Sequence, residues 1–253
     1  ARYFILGSYY NQGGNYKHSN SDNVNKFLRY NFRANVDVDA TKRLKISVDL
    51  GARVTEYTYP GATAANIISL ANTQPPYLPI VLPNNGNEVN QGDFEENGGY
   101  LLYADNDYRY NMLGQLSRSG FSKRTRRYLQ GSFKLSHDLD FITKGLSATG
   151  MATFYNRVYS AVYRSFTPFL YKLTDYSIDD AGNYSYVSES ANTGTTYLGT
   201  SRGKDGYREL AFQVKLDYNR TFNEKHDVGA TLVYHQKERM MHISDSEEYA
   251  VLP

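Results

Sequence analysis

The sequence predicts an all-β fold: an arc of about seven antiparallel strands from a large transmembrane β-barrel, with long extracellular loops and short periplasmic turns. Three observations lead there. Apolar and polar residues alternate with period two over long stretches, several of these stretches are long enough to cross a bilayer as tilted strands, and the connections between them alternate long and short.

Taken in order, the first segment, 1–11, is strand-like with ambiguous facing. The second, 27–40, sets Tyr30, Phe32, Ala34, Val36 and Val38 against Asn31, Arg33, Asn35, Asp37 and Asp39. The third, 44–58, sets Leu44, Ile46, Val48, Leu50, Ala52 and Val54 against Lys45, Ser47, Asp49, Gly51 and Arg53. Successive strand side chains point to opposite sides, so each segment has one apolar and one polar face. The pattern returns over 122–139 (Leu129, Gly131, Phe133, Leu135) and 145–166 (Leu146, Ala148, Gly150, Ala152, Phe154). It returns again over 206–221 (Leu210, Phe212, Val214, Leu216) and 227–242 (Val228, Ala230, Leu232, Tyr234). Phe32, Val36, Val48, Leu50, Phe133, Leu135, Phe212 and Val214 are expected to face lipid. Arg33, Asp37, Asp49, Arg53, Lys134 and Lys215 are the candidate lumen wall.

The connections 12–26, 59–121 and 167–205 are long, whereas 41–43, 140–144 and 222–226 are short. An outer-membrane barrel sorts its loops in this way, and a β-sandwich has no reason to. Paired residues of a hairpin share a face, so a Thr41-Lys42-Arg43 turn should oppose Val38 to Ile46, Val36 to Val48 and Asp39 to Lys45. The 59–121 excursion should hold a short helix near Ala62–Asn72, with Ala64, Ile67, Ile68 and Ala71 on one face and a stop at Pro75-Pro76. Seven strands are too few to close a barrel in lipid, where the smallest has about eight and open edges are not tolerated. The chain is therefore expected to be a contiguous portion of a longer barrel.

Composition removes other classes. A net charge of +2 gives no electrostatic case for nucleic acid, and the absence of cysteine excludes disulfides, thiol catalysis and Cys-based zinc. No apolar run is long enough for a membrane helix, and the mean hydropathy is −0.61. His18, His137, His226, His235 and His242 lack ligand spacing, and no nucleophile or phosphate-loop motif is present, so neither enzyme activity nor a cofactor is expected. Asp105-Asn106-Asp107 and Asp179-Asp180-Ala181-Gly182-Asn183 offer oxygens to a calcium ion but read first as turns. The basic run Arg118, Lys123, Arg124, Arg126, Arg127, beside Phe121 and Tyr128, sits where a strand would re-enter the membrane, within reach of lipopolysaccharide phosphates or as a solvated strand end.

Tyr30-Asn31-Phe32-Arg33-Ala34-Asn35-Val36-Asp37-Val38-Asp39 with Thr41-Lys42 and Leu44-Lys45-Ile46-Ser47-Val48-Asp49-Leu50 resembles the SusC/RagA-like TonB-dependent transporters of Bacteroidota. So do Pro75-Pro76-Tyr77-Leu78-Pro79 with Pro83-Asn84-Asn85-Gly86, and Ser119-Gly120-Phe121-Ser122-Lys123 with Arg126-Arg127, Gly131-Ser132-Phe133 and Lys144-Gly145-Leu146-Ser147. The resemblance spans most of residues 1–160. It implies a barrel of about 22 strands with a plug and TonB-box outside this chain. It also implies a SusD-like surface lipoprotein as partner, TonB as the energy source, and import of a glycan or peptide across the outer membrane. Tyr77, Leu78, Ile80, Tyr100 and Tyr103 become the candidate partner or substrate loop. The rival expectation is a non-transporting surface β protein, an adhesin or a structural β-sandwich.

Overall fold

A computed structural model describes residues 1–16, 25–83, 100–181, 184–243 and 246–252. The chain is all-β, and its main sheet is built from seven long strands and one short one. They are β1 (Arg2–Gly13), β2 (Lys26–Asp39), β3 (Leu44–Pro60), β6 (Gly120–Asp138), β7 (Leu146–Ser165), β10 (Gly199–Phe222), β11 (His226–Ile243) and β12 (Ser246–Leu252). Each is antiparallel to its neighbour, in the order β1-β2-β3-β6-β7-β10-β11-β12. The connection after β3 holds α1 (Ala64–Thr73), β4 (Val81–Pro83), β5 (Tyr100–Leu102) and α2 (Met112–Ser117); that after β7 holds β8 (Tyr171–Ile178) and β9 (Tyr184–Ser190). No helix among the described residues is long and apolar enough to cross a membrane, which says nothing of crossing by strands.

The strands are long: 17 residues in β3, 19 in β6, 20 in β7 and 24 in β10. β10 starts at Gly199 instead of 206, because residues beyond the apolar stretch still pair, Gly199 with Ser165 and Thr200 with Arg164. Three connections at one end of the sheet are long, as expected. The fourth at that end departs from the alternation, since Ile243 pairs with Ser246 and the connection from β11 to β12 is short.

Pairing runs from β1 to β11 without a register shift among the described residues. One row reads Tyr3, Val36, Val48, Phe133, Ala152, Phe212, Gln236, apolar until its last member, and the adjacent row reads Phe4, Asn35, Asp49, Ser132, Thr153, Ala211, Lys237. The sheet therefore has one apolar and one largely polar face. β1 and residues 226–236 of β11 are exposed on both faces and β7 is mostly half-buried on both, whereas on β10 the exposure is the reverse of a water-soluble strand. Leu210 (47%), Phe212 (62%) and Val214 (46%) are exposed, whereas Glu209, Ala211, Gln213 and Lys215 between them are half-buried. Small residues let large ones lie flat on the apolar side: a Cβ on Gly131 would run into the Phe154 ring.

The short turns set the parity. Val38 opposes Ile46, Val36 opposes Val48 and Asp39 opposes Lys45, as the sequence requires. The Thr41 hydroxyl accepts from the Arg43 and Leu44 N–H groups (3.2 and 3.0 Å). At the second turn, Gly145 takes φ +85°, and its N–H donates to Asp140 Oδ1 (2.6 Å). At the third, Asn223 (φ 49°) and Glu224 (φ 55°) are left-handed, and the Lys225 N–H donates to the Phe222 carbonyl (3.1 Å). Asn tolerates that region, and Glu tolerates it poorly. Glu224→Gly should raise the unfolding free energy by about 0.5–1 kcal/mol, read from the denaturant midpoint. Asn223→Val should lower it.

Candidate functional site

The polar face carries the chemistry. Arg33 and Asp49 line one hollow of about 500 Å³ with Gln130, Ser132, Tyr155, Glu209, His235 and Lys237. Arg33 and Arg53 line a neighbouring one of about 350 Å³ with Asn31, Tyr128 and Tyr155. Within them Ser132 donates to Asp49 Oδ2 (3.1 Å), and the Arg53 guanidinium stands 4.3 Å from the Tyr128 ring centre. Of the other predicted positions, Asp37 and Lys134 lie in one row, both paired to Ser47. Lys215 lies nearer the short turns, bound to Asp217 (2.7 Å). All six predicted wall residues share this face. Asp39 and Lys45 oppose each other without forming an ion pair among the described contacts.

Toward the long connections the face changes character, and this sequence reasoning missed. Arg29, Arg53, Arg124, Arg126, Arg157 and Arg239 project there among Phe27, Tyr57, Tyr128, Tyr155, Tyr159 and Tyr207. Each guanidinium lies on aromatic rings. Arg126 is 5.6 Å from both Tyr57 and Tyr159, Arg124 is 5.8 Å from Tyr59 and 5.6 Å from Tyr163, and Arg29 is 5.0 Å from Phe27. Asp205 and Glu209 neutralise only the far side. Arg157 is 3.8 Å from Asp205, and Arg239 Nε and Lys237 Nζ are 2.7 and 3.2 Å from Glu209. The Arg239 Nε–H is not aligned on Glu209 Oε1 despite that distance, so the contact is an ion pair and not an aligned hydrogen bond. Among the described residues Arg29, Arg53, Arg124 and Arg126 have no carboxylate partner, and the Nε atoms of Arg29, Arg124 and Arg126 are buried without an acceptor. Arg124 and Arg126 stand roughly 7 Å apart, where like charges repel by about 0.6 kcal/mol in water and about 2.4 kcal/mol at an effective dielectric of about 20. Stacking on tyrosine offsets part of this, about 0.5–2 kcal/mol per contact. The available signal was that Arg and Tyr keep the parity of the polar face beyond the apolar stretch. The basic run is accordingly divided: Arg124 and Arg126 take this face, and Lys123 and Arg127 the apolar one.

The long connections form a body with an ordinary core. Leu82 and Leu101 pack with Tyr171 and against Tyr103 and Phe169, while Leu102, Ala104 and Leu170 form a second cluster. Tyr171 and Leu170 come from the second excursion, so the two excursions fold together, and the Ala104 N–H donates to the Tyr171 carbonyl (2.9 Å). Asn111 is 1% exposed and joins three segments: its Nδ2 donates to the Ile80 (2.6 Å) and Tyr103 (2.9 Å) carbonyls, and its Oδ1 accepts from the Gly114 N–H (2.9 Å). The candidate partner loop is divided by this packing. Tyr77 (80%) and Ile80 (40%) are exposed, Leu78 is half-buried, and Tyr103 turns inward. Tyr100 starts β5, with its side chain outside the described detail. Helix α1 begins at Ala64, capped by Thr63, and buries Ile67 while Ile68 stays exposed at 57%, so the expected four-residue face is not a buried one. His18, Asn84-Asn85-Gly86 and Gly182-Asn183 lie outside the described residues.

Asp105 closes a turn. Its carboxylate accepts from the N–H groups of Tyr108 (2.6 Å) and Asp107 (2.9 Å) and from the Tyr103 hydroxyl (2.9 Å). Burial acts to raise its pKa, but these donors outweigh burial and hold it below the ordinary value. Tyr103 is pushed up to about 12, first by burial and then by the bond to Asp105.

No family model matches the sequence, and no curated protein matches it. The class rests on the fold: an all-β protein whose long antiparallel sheet exposes its apolar face and gathers arginine and tyrosine on the other. Asn111→Ala leaves the Tyr103 carbonyl and the Gly114 N–H unsatisfied, takes one of two donors from the Ile80 carbonyl, and should cost the connection body about 2–4 kcal/mol, seen as faster protease cleavage within 100–118. The Asp105 contribution is present above the ordinary carboxylate pKa and is lost as pH falls through its depressed value. The same cleavage should therefore appear in the parent on strong acidification.

Proposed function

We propose that this chain is part of the wall of an outer-membrane β-barrel that imports a nutrient, a glycan or peptide, in the manner of the SusC/RagA-like TonB-dependent transporters. One observation carries the reading: large apolar side chains stand uncovered on one face of the main sheet, with Phe212 62%, Leu232 69% and Phe133 48% exposed, and on β10 the alternate residues of the other face are the more buried ones. In water such a surface is a liability, and in lipid it is a requirement. The band fits in height. Leu44 to Val54 on β3 spans about 33 Å along the strand, about 25 Å when tilted by about 40°, the thickness of a barrel's apolar belt. The polar face then lines the lumen. The rival sandwich would bury Phe32, Val48 and Phe133 against a second sheet; instead Phe32 and Phe133 are each 48% exposed.

On this reading the long connections are extracellular and the short turns periplasmic. Above the belt the apolar side carries Lys123, Arg127, Arg202, Lys204 and Arg208, which suit lipopolysaccharide phosphates. Tyr77, Leu78 and Ile80 offer a surface for a SusD-like lipoprotein. TonB would act through segments outside this chain.

The full-length protein should require detergent for extraction and show heat-modifiable gel migration. Val48→Arg, near the middle of the belt, should cost about 2–4 kcal/mol. If the protein is soluble without detergent and Val48→Arg changes its stability by less than about 0.5 kcal/mol, as at an ordinary surface position, the reading falls. Sidedness has its own check, helped by the absence of native cysteine. On intact cells an impermeant maleimide should label Tyr197→Cys and not Lys42→Cys.

A further inference from the structure

The arginine–tyrosine end of the polar face has a composition that narrows its ligand. It is rich in donors and poor in acceptors. Arg29, Arg53, Arg124 and Arg126 have no carboxylate among the described residues, and three of their Nε atoms are buried without an acceptor. Each guanidinium carbon lies 4.3–5.8 Å from an aromatic ring centre with no carboxylate of the described residues on its N–H groups, and a guanidinium grips a carboxylate or sulfate through paired hydrogen bonds. The charge is also segregated. Nearer the short turns, Asp37, Asp39, Asp49 and Asp217 balance the lysines on the same face.

Resting on the transporter reading above, we propose that this end of the lumen wall binds acidic saccharides, whose uronate or sulfate groups meet Arg124, Arg126 and Arg53. A neutral glycan would leave the guanidinium charge uncompensated. An acidic peptide is the competing ligand: its backbone N–H groups only donate, the carboxylates at this end, Asp205 and Glu209, already hold cations, and the acceptors left are the tyrosine, Asn31 and Gln130 oxygens. Sugar hydroxyls can accept from the guanidinium edges and donate to tyrosine oxygens.

The test is calorimetric titration of the detergent-solubilised full-length protein with polygalacturonate, dextran sulfate, neutral dextran and poly-L-glutamate. The two acidic saccharides should bind at least about tenfold more tightly than either control, with affinity falling as salt rises. The double variant Arg124→Gln/Arg126→Gln should lose about tenfold or more while keeping heat-modifiable migration. Lys123→Gln/Arg127→Gln removes the same charge from the opposite face of the same strand and should change saccharide binding by less than about twofold. Equal binding of dextran, equal binding of poly-L-glutamate, or equal loss in the two double variants overturns the proposal. A parent without heat-modifiable migration overturns the transporter reading, and the lumen assignment with it. A heat-modifiable parent that binds no acidic saccharide overturns this inference alone.

Discussion

Everything in this molecule depends on unbroken cross-strand register. Side chains alternate with a period of two, so a one-residue slip anywhere between β1 and β11 would turn a strand inside out. No such slip or bulge interrupts the described pairing of those strands, and the irregularity that does occur, at Leu173/Asp175, lies in the small β8–β9 sheet. Because Val48 pairs with Val36 and Phe133, a residue that is apolar in one strand meets apolar residues in the next, and the same holds for Asp49 between Asn35 and Ser132. The turns exist to keep this parity. Thr41 folds its hydroxyl back onto the two following N–H groups, Gly145 takes a left-handed φ, and Asn223-Glu224 accept left-handed backbone in a tight reversal.

Two regimes of hydrophobic burial coexist. The connection body is organised as a soluble domain is, with Leu101 and Leu102 each 1% exposed and Asn111 satisfied on all sides. The sheet is organised the other way round, so burial within this chain contributes little to holding it together. What holds the sheet is the backbone ladder and the small-against-large fit of pairs such as Gly131 with Phe154. A Phe side chain left in water forgoes roughly 1.5–3 kcal/mol relative to full burial, and exposed large apolar residues recur on β1, β2, β3, β6, β10 and β11. Such a face calls for an apolar surrounding, which is why its exposure weighs more than any single residue. The two regimes join at Ser119, which is 8% exposed. It accepts from the Ala62 N–H (2.8 Å) and donates to the Gln115 carbonyl (2.6 Å), and its own carbonyl takes the Phe166 N–H (3.2 Å).

Most of the sheet was legible because alternation is a local signal. Strand order, the Val38–Ile46 register and the placement of Arg33, Asp37, Asp49, Arg53, Lys134 and Lys215 on one face all follow from parity. What was not legible depends on contacts between distant segments. Nothing near Leu101 or Tyr103 announces that Tyr171 will complete their core, so inward Tyr103 and outward Tyr77 look alike in the sequence. Ile67 and Ile68 are neighbours of equal hydrophobicity, and which one is buried is decided by what lies beneath α1. β10 was cut short at 206 because its early part, Ser201-Arg202-Gly203-Lys204-Asp205, is polar on both sides, although it pairs as regularly as the rest.

The arginine–tyrosine end was missed for a different reason. Read linearly, Arg124, Arg126 and Arg127 are a basic run; read by parity, they are two populations on opposite sides of one strand. Charge density that a linear count blurs, in a chain of net charge only +2, becomes a concentrated patch once alternate residues are sorted. The aromatic neighbours make the patch tenable. Tyr57 and Tyr159 flank Arg126 from β3 and β7, and Tyr59 and Tyr163 flank Arg124 in the same way, so each cation is held between rings supplied by both adjacent strands. A guanidinium fixed from two sides surrenders less rotamer freedom when an anion arrives, and its mutual repulsion with the next arginine is relieved by that arrival. The rings thus hold these arginines in place without neutralising them, whereas a carboxylate from the protein at that position would have removed the repulsion.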